Sequence, residues 1–264
     1  MLPLLRCELF KLTHRVMTRV LLLIVVIGLL AAYLLLGSTA GTNEGDTGLN
    51  DLRIRAVYDN GMFLVYQVGV ILAVTLAAST IATEFGWGTI RTLLPRTAGR
   101  SAFLTAKLIS LGLFVAVAVL LGFVAALLGS ALVTALRDLD SSLGPGFVGH
   151  SLTSVVKTAY VILPYAALAF VIALWSRSSA AGIAIPIVAF YAEVLLTPLF
   201  NSTGALDWLP HALIYNNISS LMDSHAVVPK EDLPGRWQAA GVLTAYVMAF
   251  ISLAFGRFLT RDVT

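Results

Sequence analysis

An all-helical integral membrane domain of six spans is the fold class this sequence predicts. Two observations carry that expectation. Of 264 residues, 58% are hydrophobic and only 12% charged, at a mean hydropathy of +0.90, whereas an ordinary globular domain is about 45–50% apolar and about 25% charged. The apolar residues are also gathered into runs of the length a bilayer demands. A helix rising about 1.5 Å per residue needs about 20 such residues to cross a hydrocarbon core roughly 30 Å thick. Membrane-spanning strands would instead show about ten residues of alternating polarity, and that pattern is missing here.

Six runs meet the requirement, at approximately Val20–Leu36, Met62–Ala82, Leu108–Leu128, Val155–Leu174, Ala180–Phe200 and Ala239–Phe258. Basic residues precede the first run, as they do in a secretory signal. Its seventeen residues exceed the roughly 7–15 of a signal's apolar core, so it is read as a span. Six spans put both termini on one side. That side holds eleven Lys and Arg residues, among them Arg6, Lys11, Arg15, Arg91, Arg96, Arg100, Lys107 and Arg177, against six on the other. By the positive-inside rule both termini are expected in the cytoplasm.

Residues 1–19 have a pattern of their own. Leu2, Leu5, Leu9, Leu12 and Val16 recur at steps of three and four, with Arg6, Lys11, His14 and Arg15 off that stripe and Pro3 suited to a first helical turn. This predicts an amphipathic helix along the cytoplasmic face. The whole chain is then a single transmembrane domain, in contact with the lipid bilayer throughout.

Several function classes are disfavoured at this stage. The pI near 9.1 reflects a net charge of only +3, spread over loops at a membrane surface, and gives no footing for nucleic acid. One cysteine, Cys7, permits neither an internal disulfide nor a multi-cysteine metal site. The four histidines, His14, His150, His211 and His225, fall in different loops, with no H-E-x-x-H and no G-x-S-x-G. Neither a catalytic centre nor a bound cofactor or metal is expected on this chain.

The stretch Thr83–Arg100, TEFGWGTIRTLLPRTAGR, is a polar and basic interruption between two strongly apolar segments. As a helix from Glu84 to Leu94 it would gather Trp87, Ile90, Leu93 and Leu94 in one arc, with Glu84 and Arg91 on its edge. Pro95 would end it. Gly86 and Gly88 would let another backbone approach closely. Such an element predicts docking: the apolar side against the membrane domain, Glu84 and the arginines displayed toward a cytoplasmic partner.

The order Glu84, Phe85, Gly86, Trp87, Gly88, Thr89, Ile90, Arg91, then Leu93, Leu94, Pro95, Arg96 and Arg100, resembles the first cytoplasmic loop of type-2 ABC transporter permeases, the membrane subunits of drug, lantibiotic and polysaccharide exporters. ELFKL at Glu8–Leu12 is similar to that family's N-terminal elbow helix, and LWSRSSAAGIAI at Leu174–Ile185, with Arg177, to its second cytoplasmic loop. The six-span topology covers the chain, and the motif-level match about a quarter of it. The resemblance implies that Glu84–Arg100 is a coupling helix seated on a nucleotide-binding subunit. This chain has no G-x-x-x-x-G-K-[ST] phosphate cradle, so an ABC ATPase carrying ATP and Mg would be a separate polypeptide. A second permease copy or a related permease would complete the pathway, in a prokaryotic plasma (inner) membrane. Spans almost free of charge favour an apolar or amphiphilic cargo such as a peptide antibiotic, drug or lipid-like molecule.

Glu193 is the acidic residue well inside a span, between Pro186 and Pro198. An intramembrane carboxylate is costly and a functional candidate for a proton, a cation or a substrate amine. It is equally suited to a quiet pairing with a Tyr or Ser. It founds the alternative expectation, a stand-alone secondary transporter or ion exchanger. Lys157 is expected to snorkel at the outer mouth of the fourth span. Trp208–Leu221, in the loop Asn201–Arg236, is expected to lie at the outer interface.

Overall fold

The computed structural model describes residues 2–39, 47–88, 99–203, 209–222 and 233–260. Helix α1 spans Leu2–His14, α2 Val16–Thr39, α3 Thr47–Leu52, α4 Met62–Gly86 and α5 Arg100–Leu136. Then come α6 at Phe147–Ser176, α7 at Ser179–Thr203, α8 at Leu209–Ala212, α9 at Ile214–Met222 and α10 at Arg236–Thr260. A 3₁₀ turn, Ile54–Ala56, and a π turn, Val57–Gly61, lead into α4. There is no strand among the described residues. Six helical segments there, α2, Ile54–Gly86, α5, α6, Ser179–Leu196 and α10, are long and apolar enough to cross a membrane.

The spans outrun the apolar runs that announced them. α5 has 37 residues, about 55 Å at 1.5 Å per residue, against a hydrocarbon core of roughly 30 Å. Lys157, expected at a span's mouth, is about three turns from the start of α6, a helix that likewise begins before its apolar run. Hydropathy marks where a helix is surrounded by lipid-like surface, and the hydrogen-bonded backbone continues past it.

α4 and α6 form the centre and are the most completely buried spans. α2 and α5 pack on one flank of that pair, α7 and α10 on the other. Small residues set the closest approaches, as expected where helices associate by packing rather than by expulsion of water. A Cβ on Gly182 would stand 2.6 Å from Ala173 Cβ and 2.9 Å from Ala78 Cβ, so this glycine lets α7 lie directly on α6 and α4. α6 keeps its helix through the buried Pro164, which membrane helices tolerate when neighbours cover the break. The short segment after α2 folds back onto α5, where Ser130 Oγ donates to Leu52 O at 2.7 Å and Ile54 N donates to Thr134 Oγ1 at 3.3 Å. Arg137 Nη2 donates to Gly37 O at 2.6 Å, satisfying a carbonyl left open at the end of α2.

Candidate functional site: a buried charge network beneath the end of α4

The expectation for Glu84 is corrected by its surroundings. Rather than displayed on a loop helix, it lies in the last turn of α4 and is 3% exposed. The helix expected from Glu84 to Leu94 is, over its described part, that same final turn. Trp87 N donates to Thr83 O and Gly88 N to Phe85 O, and Gly88, at φ +66°, ends the helix. That left-handed conformation suits glycine. Among the described residues nothing lies within 4 Å of a Cβ built on Gly86 or Gly88.

Around Glu84 the fold assembles two carboxylates and two ammonium groups. Lys107 Nζ lies 2.6 Å from Glu84 Oε1 and 3.0 Å from Glu8 Oε2. It also donates to Thr80 O at 3.3 Å. Lys11 Nζ lies 2.9 Å from Glu8 Oε1 and 3.3 Å from Glu84 Oε1. Beside them Arg15 Nη2 donates to Thr83 Oγ1 at 3.2 Å. The network thus ties α1 to α4 and α5. Its formal charges cancel, which is the condition under which a buried charge cluster survives its desolvation. For Glu8, burial pushes the carboxyl's pKa up, but the charges and hydrogen bonds of Lys107 and Lys11 outweigh it, and the group stays below its ordinary value. For Lys11, burial works downward, but its hydrogen bond to Glu8 and the charges of Glu84 and Glu8 leave it raised. Both groups are therefore held in their charged forms.

Sequence reasoning missed Glu8 and Lys107 as partners, yet a signal was present. Glu8 lies three residues after Leu5 and four before Leu12, on the apolar stripe of α1, and Lys107 interrupts the run from Leu104 to Leu111. A charge on an apolar helix face needs an opposite charge across the interface.

The remaining predicted residues divide clearly. Phe85 and Arg177 come together, the guanidinium carbon 5.5 Å from the ring centroid. Arg177 itself takes φ +55° in the two-residue turn between α6 and α7. Trp87 is 74% exposed beside them. Arg100 opens α5, and its Nη1 donates to Leu259 O at 3.4 Å, near the end of α10. Thr89, Arg91 and Arg96 lie outside the described residues.

Glu193 sits at the other end of the bundle from this network. Its Oε2 accepts from Tyr215 N at 2.7 Å and from Tyr165 Oη at 3.2 Å, and the Ile214 amide also donates to the carboxylate. A carboxylate on the first amides of α9 satisfies donors that a helix leaves open and favours the positive end of its dipole. The quiet pairing weighed for this residue is thus seen, together with a cap. Within the segment Trp208–Leu221, expected at the outer interface, Ile214 through Ser220 are buried against α6, α7 and α10. Trp208 lies outside the described residues. Among the described residues no group of three or more His, Cys, Asp or Glu is placed to hold a metal.

Fold and site together define a multi-pass, all-helical membrane protein with a charge clamp at one end of its bundle. Within that class, the chain belongs to the family described as "Protein of unknown function (DUF2705)", which matches residues 22–264. It is similar to the uncharacterized protein YhcI of Bacillus subtilis (strain 168), at 24% identity over 205 residues. The match covers 73% of this chain and 64% of that relative, less than two thirds of the relative's length.

Proposed function

We propose that this chain is the membrane-spanning permease subunit of an ATP-driven ABC transporter, exporting an apolar or amphiphilic compound. In this reading a separate ATPase subunit supplies ATP and Mg, and a second permease copy or a related permease completes the pathway. Both termini face the cytoplasm of a prokaryotic plasma membrane, an orientation supported by the excess of basic residues on their side.

One observation supports the reading most. The last turn of α4 is gripped from within by the Glu8–Lys11–Glu84–Lys107 network and leads outward to Phe85, Arg177 and the exposed Trp87. A displacement of the chain leaving Gly88 is passed through ionic contacts to α1 and α5 as well as to α4. Coupling by a partner needs that combination: an accessible handle and a stiff connection behind it. Glu84 acts as the connection, and Phe85, Trp87 and Arg177 as the handle.

The test uses residues that can be changed without touching the core. Tagged protein is extracted gently from its native host with Trp87→Ala and Arg177→Glu beside the unaltered chain. An ATPase chain in equal amount is expected with the unaltered protein and lost from both variants, whose thermal midpoints stay close to the parent's because surface changes usually cost within about 0.5 kcal/mol. Purification of the parent without any ATP-hydrolysing chain, or full retention of that chain by both variants, would refute the reading. The stand-alone exchanger gains nothing from the surroundings of Glu193, whose carboxylate is engaged by the amides of α9.

A further inference from the structure

We infer that the end of the bundle opposite the charge network carries a preformed binding site for an amphiphilic organic cation. The site is a cavity of about 380 Å³ between α2, α3 and the start of α4. Its walls are mainly Tyr33, Leu36, Leu52, Phe63 and Leu64, and among the described residues Asp51 is the one charged side chain in its lining. Phe63 lies roughly 30 Å along α4 from Glu84, so nothing already described accounts for this space.

Three properties identify the occupant. The volume falls in the range of small-molecule pockets, about 300–1,000 Å³. Apolar walls, Tyr33 and Phe63 among them, select an apolar body. Asp51 is exposed on α3. Among the described residues no cation pairs with it, so its carboxylate is left for a ligand of opposite charge. An anion would meet repulsion here, and a neutral apolar molecule would leave the carboxylate unanswered.

The cavity is held open rather than formed on demand, because both its walls are fastened to α5. α3 is tied through Ser130 to Leu52 O. α2 is tied by Arg137 to Gly37 O and Ser38 O, at 2.6 and 3.2 Å from Nη2. Gly129 lets Tyr33 lie against the α5 backbone, since a Cβ there would come within 2.9 Å of the tyrosine ring. A preformed site does not spend its binding energy on ordering the protein.

The site stands whether or not an ATPase partner exists, and its test needs none. Radiolabelled tetraphenylphosphonium is titrated onto the full chain in phosphatidylcholine nanodiscs, with binding counted above empty nanodiscs and with tetraphenylborate as a probe of the same shape and opposite charge. Saturable phosphonium binding is expected. Asp51→Asn should weaken it on the order of fivefold, as loss of an accessible ion pair would, and Leu64→Trp, which fills the cavity, should abolish it. Met248→Ala, an exposed position on α10, should leave it unchanged. Saturable tetraphenylborate binding of equal strength would overturn the inference, as would indifference to Asp51→Asn or to Leu64→Trp. A phospholipid retained by the parent, not displaced by the phosphonium and lost from Leu64→Trp, would assign the cavity to a lipid chain instead.

Discussion

Lys107 shows how much one side chain can decide in a low-dielectric interior. It is 3% exposed and touches both Glu8 and Glu84, so replacing it takes the more buried of the two lysines away from both carboxylates. Lys107→Met is expected to cost about 3–5 kcal/mol, the usual price of removing one partner from a buried ion pair. Thermal unfolding in detergent would measure it. Adding Glu84→Gln to Lys107→Met should restore part of the loss, because the second change removes a stranded charge. Strict additivity of the two changes would mean that the pair is not energetically coupled. The same residues mark the limit of what was legible beforehand. Glu84 was singled out by its place in a motif and read as pointing outward. Its true setting depends on Lys107 and Glu8, 23 residues after it and 76 before it, and no local pattern reports a contact at that separation.

At the scale of elements, hydrophobic run length located all six membrane-length helices, because it measures the quantity a bilayer selects. It failed at their ends, where the hydrogen-bonded backbone of α5 continues well beyond its apolar stretch, and where Gly88 stops α4 through a backbone angle that composition does not reveal. It says nothing of α9, whose polar residues Asn216 and Asn217 are both buried. Their burial is possible because Asn217 Nδ2 donates to His211 O and Leu213 O, at 2.8 and 2.7 Å, and because Tyr246 Oη donates to Ala212 O at 3.0 Å. Glu193 completes the seating of α9 from α7. Glu193→Ala is therefore expected to cost about 1–2 kcal/mol, in the range of a lost helix cap. Hydrogen exchange should quicken first at the amides of Ile214 and Tyr215. Exchange at those amides matching the parent would show that the carboxylate does not secure the helix.

For the molecule as a whole, the sequence supplied the class and the number of membrane-length helices, while the way the helices meet came from packing at residues such as Gly182 that no run length flags. Orientation is open to a direct check. Cys7 is the chain's one cysteine and is exposed on α1, so a membrane-impermeant maleimide is expected to label inside-out vesicles and to spare intact cells. Moving the thiol to the other end, as Cys7→Ser with Asp51→Cys, should reverse that result. The opposite outcome in both would invert the topology.

α5 reaches both ends without interruption. Lys107 near its start sits in the ionic clamp, and Ser130 near its finish holds the roof of the cavity, with roughly 35 Å between them. An unbroken helix of this length behaves as a tie rod: it neither shortens nor hinges, so a shift imposed at one anchorage must appear at the other. Any ligand that prefers one axial setting of the rod therefore biases the clamp, and by thermodynamic reciprocity whatever grips the clamp alters the ligand's affinity by the same factor.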